Sequence, residues 1–383
     1  MPAKRVLVLT ENFPPKSGGS GRWFWELYSR LPKEQFIVVT DEVADSSVDN
    51  EIENTVIRIP LSSSEWGFKS VIGLKFYWRS ARAIKKLVKQ YDITEIHCGR
   101  VIHEGVIAWL VSLTTKVSVS CFIHGEDIET AATSREHHLM VNKVCAKSKH
   151  LICNSLNSQN IARRLGFDYQ NTLILHPGAD CSRFVPAACD KAFRQKMGWH
   201  ERKVILTVGR LQARKGHDKM IEAMQSILKQ EPNALYCMVG SGSTKPYLEE
   251  LIDQYGLTES VVFLDEISDQ EMIQCYQQCD LFILPNRTID NDIEGFGMVL
   301  VEAQACAKVV IAGDSGGTKE TMLPNETGFV IDCTDAEIIA STIIELLGNS
   351  DKRERMGSKG REFVSSTFDW LPHVEKAKEI FSQ

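Results

Sequence analysis

Short runs of β-branched and aliphatic residues recur along the chain, separated by longer stretches in which apolar positions return every three or four residues. A run such as RVLVLT at 5–10 reads as a parallel strand buried on both faces, and the stretches between runs read as amphipathic helices. Strands are predicted at 5–10, 36–40, 56–59, 96–98, 117–123, 150–154 and 172–175, with helices at 74–90 and 103–113. The alternation pauses over 177–199, which is rich in small and turn residues. It restarts with strands at 203–208, 235–239, 261–264, 281–284 and 309–312, alternating with helices at 217–229, 245–255 and 269–277 and one from residue 297. A helix at 336–347 and two charged helices close the chain. The predicted class is α/β: two Rossmann-like doubly wound domains, 1–176 and 200–367, joined by 177–199 and facing a central cleft.

Composition removes several alternatives. The 383 residues are 43% hydrophobic and 25% charged, which fits a soluble globular pair of domains and not a disordered, collagenous or coiled-coil chain. No apolar run approaches the ~18 residues that span a bilayer. The N-terminal residues lack a signal-peptide pattern. The eleven cysteines are scattered, and Cys121, Cys153 and Cys237 sit inside apolar runs. Cys275 and Cys279 share a helical face, but no second pair or histidine follows at metal-site spacing, so a core-facing pair is expected. Unpaired thiols without a targeting signal point to the cytoplasm. The net charge of −6 divides unevenly: residues 1–176 carry 22 basic and 18 acidic groups, residues 177–383 carry 22 and 32. General nucleic-acid binding is excluded, while the basic first half leaves room for an anionic surface or substrate.

Three loops at strand ends carry candidate chemistry. Val208-Gly209-Arg210-Leu211, then Lys215-Gly216, places two cations five residues apart beside a helix N-terminus, which suits a doubly charged phosphate. A solvated loop fits the same residues. The stretch from Glu294 through Gly295, Phe296, Gly297, Met298 and Val299 to Glu302 follows a strand and a polar loop. Its glycines permit close backbone approach, and the N–H groups of the next helix can hold an anion. Glu302 is a carboxylate in an otherwise apolar helix. Vicinal ribose hydroxyls or a salt bridge would satisfy it. Gly316-Gly317 is a third strand-end loop.

Together, GRL…KG, then EGFGMVLVEAQAC with its glutamates eight apart, then GGTKE resemble the C-terminal half of the family 4 retaining glycosyltransferases. The Pro14-Pro15 to Gly18-Gly19 loop, His124-Gly125-Glu126-Asp127, and His176-Pro177-Gly178-Ala179-Asp180 leading to Phe184 and Pro186 resemble the same family. The resemblance runs from about residue 5 to the C-terminus. It implies the GT-B type of fold, with an acceptor-binding first domain, a donor-binding second domain and the last helix, 368–383, crossing back onto the first. It implies transfer of a hexose from a nucleotide-sugar, GDP-mannose or a UDP-hexose, to a hydroxyl of a glycan or lipid-linked glycan, with retention and without metal or other cofactor.

The resemblance also implies roles. Arg210 and Lys215 hold the donor diphosphate, Glu302 the ribose, and Glu294 lies near the transferred sugar. Backbone N–H groups of Phe296, Gly297, Met298 and Val299 contact sugar or phosphate. His124 approaches the sugar's reactive face, and Gly18 and Gly19 belong to a loop near diphosphate and acceptor. The implied catalytic set is His124, Arg210, Lys215 and Glu294. Negative charge grows on the leaving diphosphate as the glycosidic bond breaks, and without a metal the cations and a helix N-terminus must stabilise it. A GT-B epimerase or phosphorylase, or a nucleotide-sugar-binding regulatory protein without turnover, are the rival readings. Asp265 stands where many relatives have glycine, near the base.

Other motifs read differently. Asp290-Asn291-Asp292 has the Asp-x-Asp spacing of metal-dependent transferases but is expected to be solvated loop acids. Gly240-Ser241-Gly242 lacks the third glycine of a dinucleotide fingerprint. On a helix, Lys75, Arg79, Arg82, Lys86 and Lys89 share an arc of about 80°, opposite Phe76, Tyr77, Ala83, Ile84, Leu87 and Val88. With exposed aromatics expected at Trp66 and Phe68, this face suits an anionic membrane surface, placing the protein peripherally on the inner face of the membrane. A solvated helix packed on the sheet is the other reading.

Overall fold

The computed structural model describes residues 4–16, 18–167, 170–265, 267–290 and 292–382. Two compact units emerge: one joins the chain up to Pro177 with the segment from His373, and the other is Gly178–Pro372.

The first unit holds seven strands: β1 Val6–Thr10, β2 Phe36–Thr40, β3 Thr55–Arg58, β4 Glu95–Cys98, β5 Ser118–Ile123, β6 His150–Cys153 and β7 Thr172–Ile174. They pair in parallel in the order β3-β2-β1-β4-β5-β6-β7. The second holds β8 Lys203–Val208, β9 Ala234–Val239, β10 Val261–Leu264, β11 Leu281–Leu284, β12 Val310–Gly313 and β13 Gly328–Ile331, in the parallel order β10-β9-β8-β11-β12-β13. Each order reverses direction once, between β1 and β4 and between β8 and β11. Loops leaving the carboxyl ends of strands at such a reversal diverge and leave a crevice.

Helices cover the sheets because their apolar positions repeat on one side. In the second unit, Met220, Ile221, Met224 and Ile227 of helix His217–Gln230 join Ile339, Ile343 and Leu346 of helix Ala336–Leu347 in one core with Tyr236 and Ile283. Four features depart from expectation. Strand β13 is too short to stand out, and helices Arg135–Lys147 and Leu156–Arg164 are too polar to do so. Residues 101–105 are irregular, so the helix expected from 103 begins at Val106. The expected connection at 177–199 is instead body of the second unit from Gly178 on. Trp199 is fully buried edge-on to Phe193, Phe184 packs on Tyr276, and Arg194 donates to the Gln278 carbonyl. Phe68 is half-buried against Tyr77 at 5.0 Å, whereas Trp66 is exposed.

Helix Trp370–Ser382 ends in the first unit. The Phe381 ring lies 4.4 Å from His97 and 6.2 Å from both Tyr28 and Phe36, centroid to centroid, and its carbonyl accepts from Lys4. Beneath it, buried Glu95 accepts from His97 Nε2 at 3.1 Å and Ser120 Oγ at 2.7 Å and pairs with Lys4 at 2.7 Å. Burial opposes the charge on Glu95, but His97, Lys4 and Ser120 hold the carboxyl well below its usual range. Tyr28 Oη and His97 Nδ1 share a hydrogen bond at 2.8 Å, and burial pushes the pKa of the imidazole down. Phe381→Ala should therefore destabilise the first unit by about 3 kcal/mol, measured by denaturant unfolding. A loss under about 0.5 kcal/mol would mean the helix end contributes no anchorage.

Candidate functional site

In the first unit, the chain leaving β1 turns through Gly18 into helix Gly19–Tyr28, whose start has no side-chain cap. Strand β5 ends at Ile123, and His124 follows. Asp127, given no role by the sequence, fixes this turn: its Oδ1 accepts from the N–H groups of His124 at 2.9 Å and Gly125 at 3.1 Å, and its Oδ2 from Val101 N–H at 3.2 Å. His124 Nε2 lies 2.8 Å from the Gly99 carbonyl. A carbonyl only accepts, so Nε2 carries the proton. The imidazole stands edge-on to Trp23 and Phe24, at 5.6 and 5.9 Å. Its Nδ1 has no hydrogen-bond partner among the described residues.

In the second unit, three loops leave the carboxyl ends of β8, β11 and β12 and lock together. Gly216 adopts φ +70° with its Cα against the Pro285 carbonyl, and Gly316 adopts φ +67° with its Cα against the Glu294 carbonyl. A Cβ at either position would collide with backbone, so both need glycine. Gly317 N–H donates to the Glu294 carbonyl at 2.9 Å, and Arg287 N–H to the Arg214 carbonyl at 2.8 Å. The Gly316-Gly317 pair is thus the clamp on Glu294. Gly240 and Gly242 have a packing role, since they abut Gly209 and Leu211 of the β8 loop.

This framework brings Lys215 and Glu294 together. Glu294 Oε2 accepts from Arg214 Nη1 at 2.6 Å and from Lys215 Nζ, and all three side chains are buried. Arg214 Nε reaches Asp292 Oδ1 at 3.0 Å. Asp292 is therefore an ion-pair partner and not only a solvated acid; Asn291 lies outside the described residues. Burial would raise the Glu294 carboxyl, but Lys215 and Arg214 outweigh it and hold the pKa at about 2. Burial lowers Lys215, and the Arg214 and Arg210 cations add to this against the pull of Glu294. Burial and then Lys215 push His217, which follows on the same loop and bonds Tyr236 Oη at 2.9 Å, down to about 4.

Arg210 is exposed on this loop. Helix Met298–Ala305 begins after Gly297, which offers no side-chain cap, and the N–H groups of Met298 and Val299 make no hydrogen bond among the described residues. Phe296 is buried, 5.5 Å edge-on to Phe368. Glu302 is buried and accepts from Tyr276 Oη at 2.9 Å. Arg214 and His217 were missed because a basic run at a loop reads as solvated.

Two parallel Rossmann-like sheets, the second with a clamped cationic loop at its reversal point, make a fold of the GT-B type. The Glycosyltransferase Family 4 description matches residues 17–183, and the Glycosyl transferases group 1 description matches 190–363. The chain belongs to glycosyltransferase family 4. It is similar to the GDP-mannose-dependent monoacylated alpha-(1-6)-phosphatidylinositol monomannoside mannosyltransferase of Corynebacterium glutamicum, 28% identical with 99% of this chain and 98% of the relative covered. The GDP-mannose-dependent alpha-(1-6)-phosphatidylinositol monomannoside mannosyltransferase of Mycobacterium tuberculosis is 27% identical, with 96% and 95% covered. Among solved structures, Anabaena HepE in complex with UDP and glucose shares the fold with a TM-score of 0.85 at 19% identity over 100% of both chains. The protein is a nucleotide-sugar glycosyltransferase.

Two measurements test the buried cluster. Lys215→Ala leaves Glu294 with a single strong partner, so it should destabilise the second unit by about 3 kcal/mol, and adding Glu294→Ala should recover at least 1 kcal/mol of that. Strict additivity would show that the pair is not coupled. Because the folded-state pKa of His217 is depressed from 6.5 to about 4, the unfolded chain binds that proton first, and stability falls as pH drops through this window. The full loss is about 3 kcal/mol, and Glu294 adds to it below its ordinary value of 4.5 as the pH falls toward 2. His217→Gln should flatten the slope of melting temperature against pH between 6.5 and 4; an unchanged slope would refute the assignment.

Proposed function

We propose that the protein is a retaining, metal-independent mannosyltransferase that uses GDP-mannose and a glycolipid acceptor with a polyol head group. The observation that carries this reading is similarity over nearly the whole chain to mannosyltransferases whose names state that donor and a phosphatidylinositol mannoside acceptor. In this reading the first unit takes the acceptor and the second the donor. Arg210 and Lys215 face the diphosphate, and the N–H groups of Met298 and Val299 offer it a helix N-terminus. Glu302 grips the ribose, Glu294 and the Phe296–Gly297 backbone meet the mannose, and Gly18 and Gly19 carry the loop beside the diphosphate.

The bond from the anomeric carbon to the phosphate oxygen breaks, and the acceptor oxygen bonds the same face of that carbon. The acceptor proton passes to the departing phosphate. His124, whose Nε2–H is held by Gly99, presents its ring to the sugar with a fixed tautomer. The protein works at the cytoplasmic face of a membrane, to which it attaches peripherally. No helix among the described residues is long and apolar enough to cross one.

Transfer from GDP-mannose to a lipid extract should proceed in EDTA, and Arg210→Ala should slow it by about 10²–10³-fold. Calorimetry should give tighter binding of GDP than of UDP or ADP. Glu302→Ala should weaken GDP itself. Tyr276→Phe, which removes one protein donor to that carboxylate, should leave GDP affinity within about threefold. Preference for a UDP-sugar, or activity restored only by Mg²⁺ after EDTA, would overturn the reading.

A further inference from the structure

The loop that anchors His124 carries more polar groups than that histidine uses. It leaves the carboxyl end of β4 at Gly99, whose carbonyl accepts from His124 Nε2. Four residues on, His103 and Glu104 meet the chain leaving β1. Glu104 Oε1 accepts from the Glu11 N–H at 2.8 Å, and His103 Nε2 lies 3.4 Å from Glu11 Oε2. His103, against burial and with the charges of Lys16 and Arg100, holds the Glu11 carboxyl below its usual range. Each of the two residues at this turn keeps one polar atom unanswered. Glu104 is 1% exposed, and its Oε2 has no hydrogen-bond partner among the described residues. His103 is 5% exposed, and the same is true of its Nδ1. A buried polar atom without a partner carries its full desolvation cost, and a ligand that answers it recovers that cost.

An aromatic ring stands at the same place. Trp66 lies edge-on to the His103 imidazole at 5.1 Å and is 43% exposed. It is nonetheless fixed: its Nε1 donates to the Ser63 carbonyl at 3.0 Å, and its own carbonyl accepts from Tyr77 Oη at 3.0 Å. The Glu11 side chain is also in reach of solvent, at 21% exposure. An open indole face beside carboxylates suits a ring that has C–H groups on its faces and hydroxyls around its edge. Charge narrows the choice. Burial opposes the charge on Arg100, but the carboxylates of Glu104, Glu126, Asp127 and Glu11 outweigh it and raise its pKa. Lys16 is engaged by Asp41 at 2.5 Å. Four acids around one guanidinium repel a phosphate and leave uncharged hydroxyls as the favoured ligand. A hydroxyl also answers both unpartnered atoms. It donates to Glu104 Oε2, and it donates to or accepts from His103 Nδ1 in either protonation state, whereas a phosphate dianion only accepts.

We propose that Glu11, His103, Glu104 and Trp66 hold the neutral polyol ring of the acceptor. The Glu11 and Glu104 carboxylates accept from ring hydroxyls, His103 bonds a further hydroxyl through Nδ1, and Trp66 covers a C–H face. The acceptor's phosphate stays outside this acidic seat. Because His103 and Glu104 share a loop with the Gly99 carbonyl that orients His124, one short segment sets both the ring and the histidine. The carboxylates make the site selective as well as sticky: a ring that lacks a hydroxyl at the right place leaves a buried acceptor unpaired, and such a loss costs far more than a lost apolar contact. The inference rests on the glycolipid-acceptor reading and deepens it by naming the side chains that choose the acceptor's ring. It is tested first by binding, without donor turnover.

The test is a ligand-observed NMR titration of the full chain with myo-inositol and with methyl α-mannopyranoside, in saturating GDP and with inorganic phosphate as competitor. Wild type is compared with Glu11→Gln, Glu104→Gln, Trp66→Ala and Trp66→Phe. Wild type should bind at least one of the two polyols, and phosphate should not displace it. Glu11→Gln and Glu104→Gln should each weaken that binding by at least about tenfold. Trp66→Ala should weaken it by about threefold or more, and Trp66→Phe should restore most of it. Melting temperature and GDP affinity should match wild type in the Trp66 variants, whose side chain is exposed, so the proposal stays testable even if Glu104→Gln unfolds the turn. In turnover with a lipid extract, the acceptor KM should rise in the variants while the donor KM holds; a merely structural role would move both. The proposal is overturned if wild type binds neither polyol, if phosphate displaces them, or if the Glu11, Glu104 and Trp66→Ala variants bind as wild type does. GDP-mannose turnover with an acceptor KM unchanged in the variants would sink this seat and leave the transferase reading standing. Polyol binding lost in the variants, with no GDP-mannose turnover by wild type, would do the reverse.

Discussion

The Glu294 carboxylate is buried in the second unit and shared by Arg214 and Lys215. A carboxylate taken from water is costly unless its lone pairs and charge are answered. Everything around it serves that end. The clamp from Gly316 and Gly317 fixes the Glu294 backbone, the Gly216 turn against Pro285 sets where Lys215 emerges, and Arg287 pins the Arg214 carbonyl. Loose loops would let the carboxylate find water instead. The interlock of the β8, β11 and β12 loops and the ionisation of Glu294 therefore depend on each other.

The first unit buries an acid of its own at the other end of its sheet. Glu95 opens β4, at the amino end, whereas Glu294 follows the carboxyl end of β11. Both are held ionised against burial by hydrogen bonds and ion pairs, but their neighbours differ. Glu95 is answered by Lys4, His97 and Ser120 beneath the Phe381 ring, so its charge ties the C-terminal helix to the sheet. Glu294 sits among glycine turns beside exposed Arg210 and the uncapped helix start at Met298, where backbone stays close to solvent. The same electrostatic device fastens structure at one end of an α/β sheet and prepares a site at the other.

The two sheets were legible because fully buried strands such as VLVLT and LFIL leave unbroken apolar runs. The loops bearing Arg210, Lys215, Glu294 and Glu302 were legible from their place after such strands. What the residues could not disclose was partnership across distance. Arg214 stands next to Lys215, yet only the approach of a loop eighty residues later makes it a buried partner of Glu294. Glu302 shows an anomalous carboxylate in an apolar helix, but its Tyr276 partner lies on another helix. Strand β13 is four residues, three of them half-buried, too short to rise above its surroundings. At helix Val71–Gln90 the Ser70 side chain caps a turn that begins before the regular apolar repeat, which adds Val71 and Ile72 to the helix, and Trp78 stands exposed on it.

The charge count at the second unit's site bears on how a donor diphosphate would enter it. Arg210, Arg214 and Lys215 bring three positive charges, and Asp292 and Glu294 two negative ones, so the cluster has one cation in excess. Lys215 is buried and engaged with Glu294. On the proposed reading it must turn from carboxylate to phosphate, and Glu294 must stay ionised when it does. Arg214 makes that exchange feasible. Its Nη1 stays on Glu294 at 2.6 Å while its Nε stays on Asp292 at 3.0 Å, a planar fork holding two acids at once. A lysine at 214 would offer one ammonium to two carboxylates and could not hold both in that geometry. On that reading the guanidinium is the standing counter-charge, and the lysine the cation that follows the phosphate.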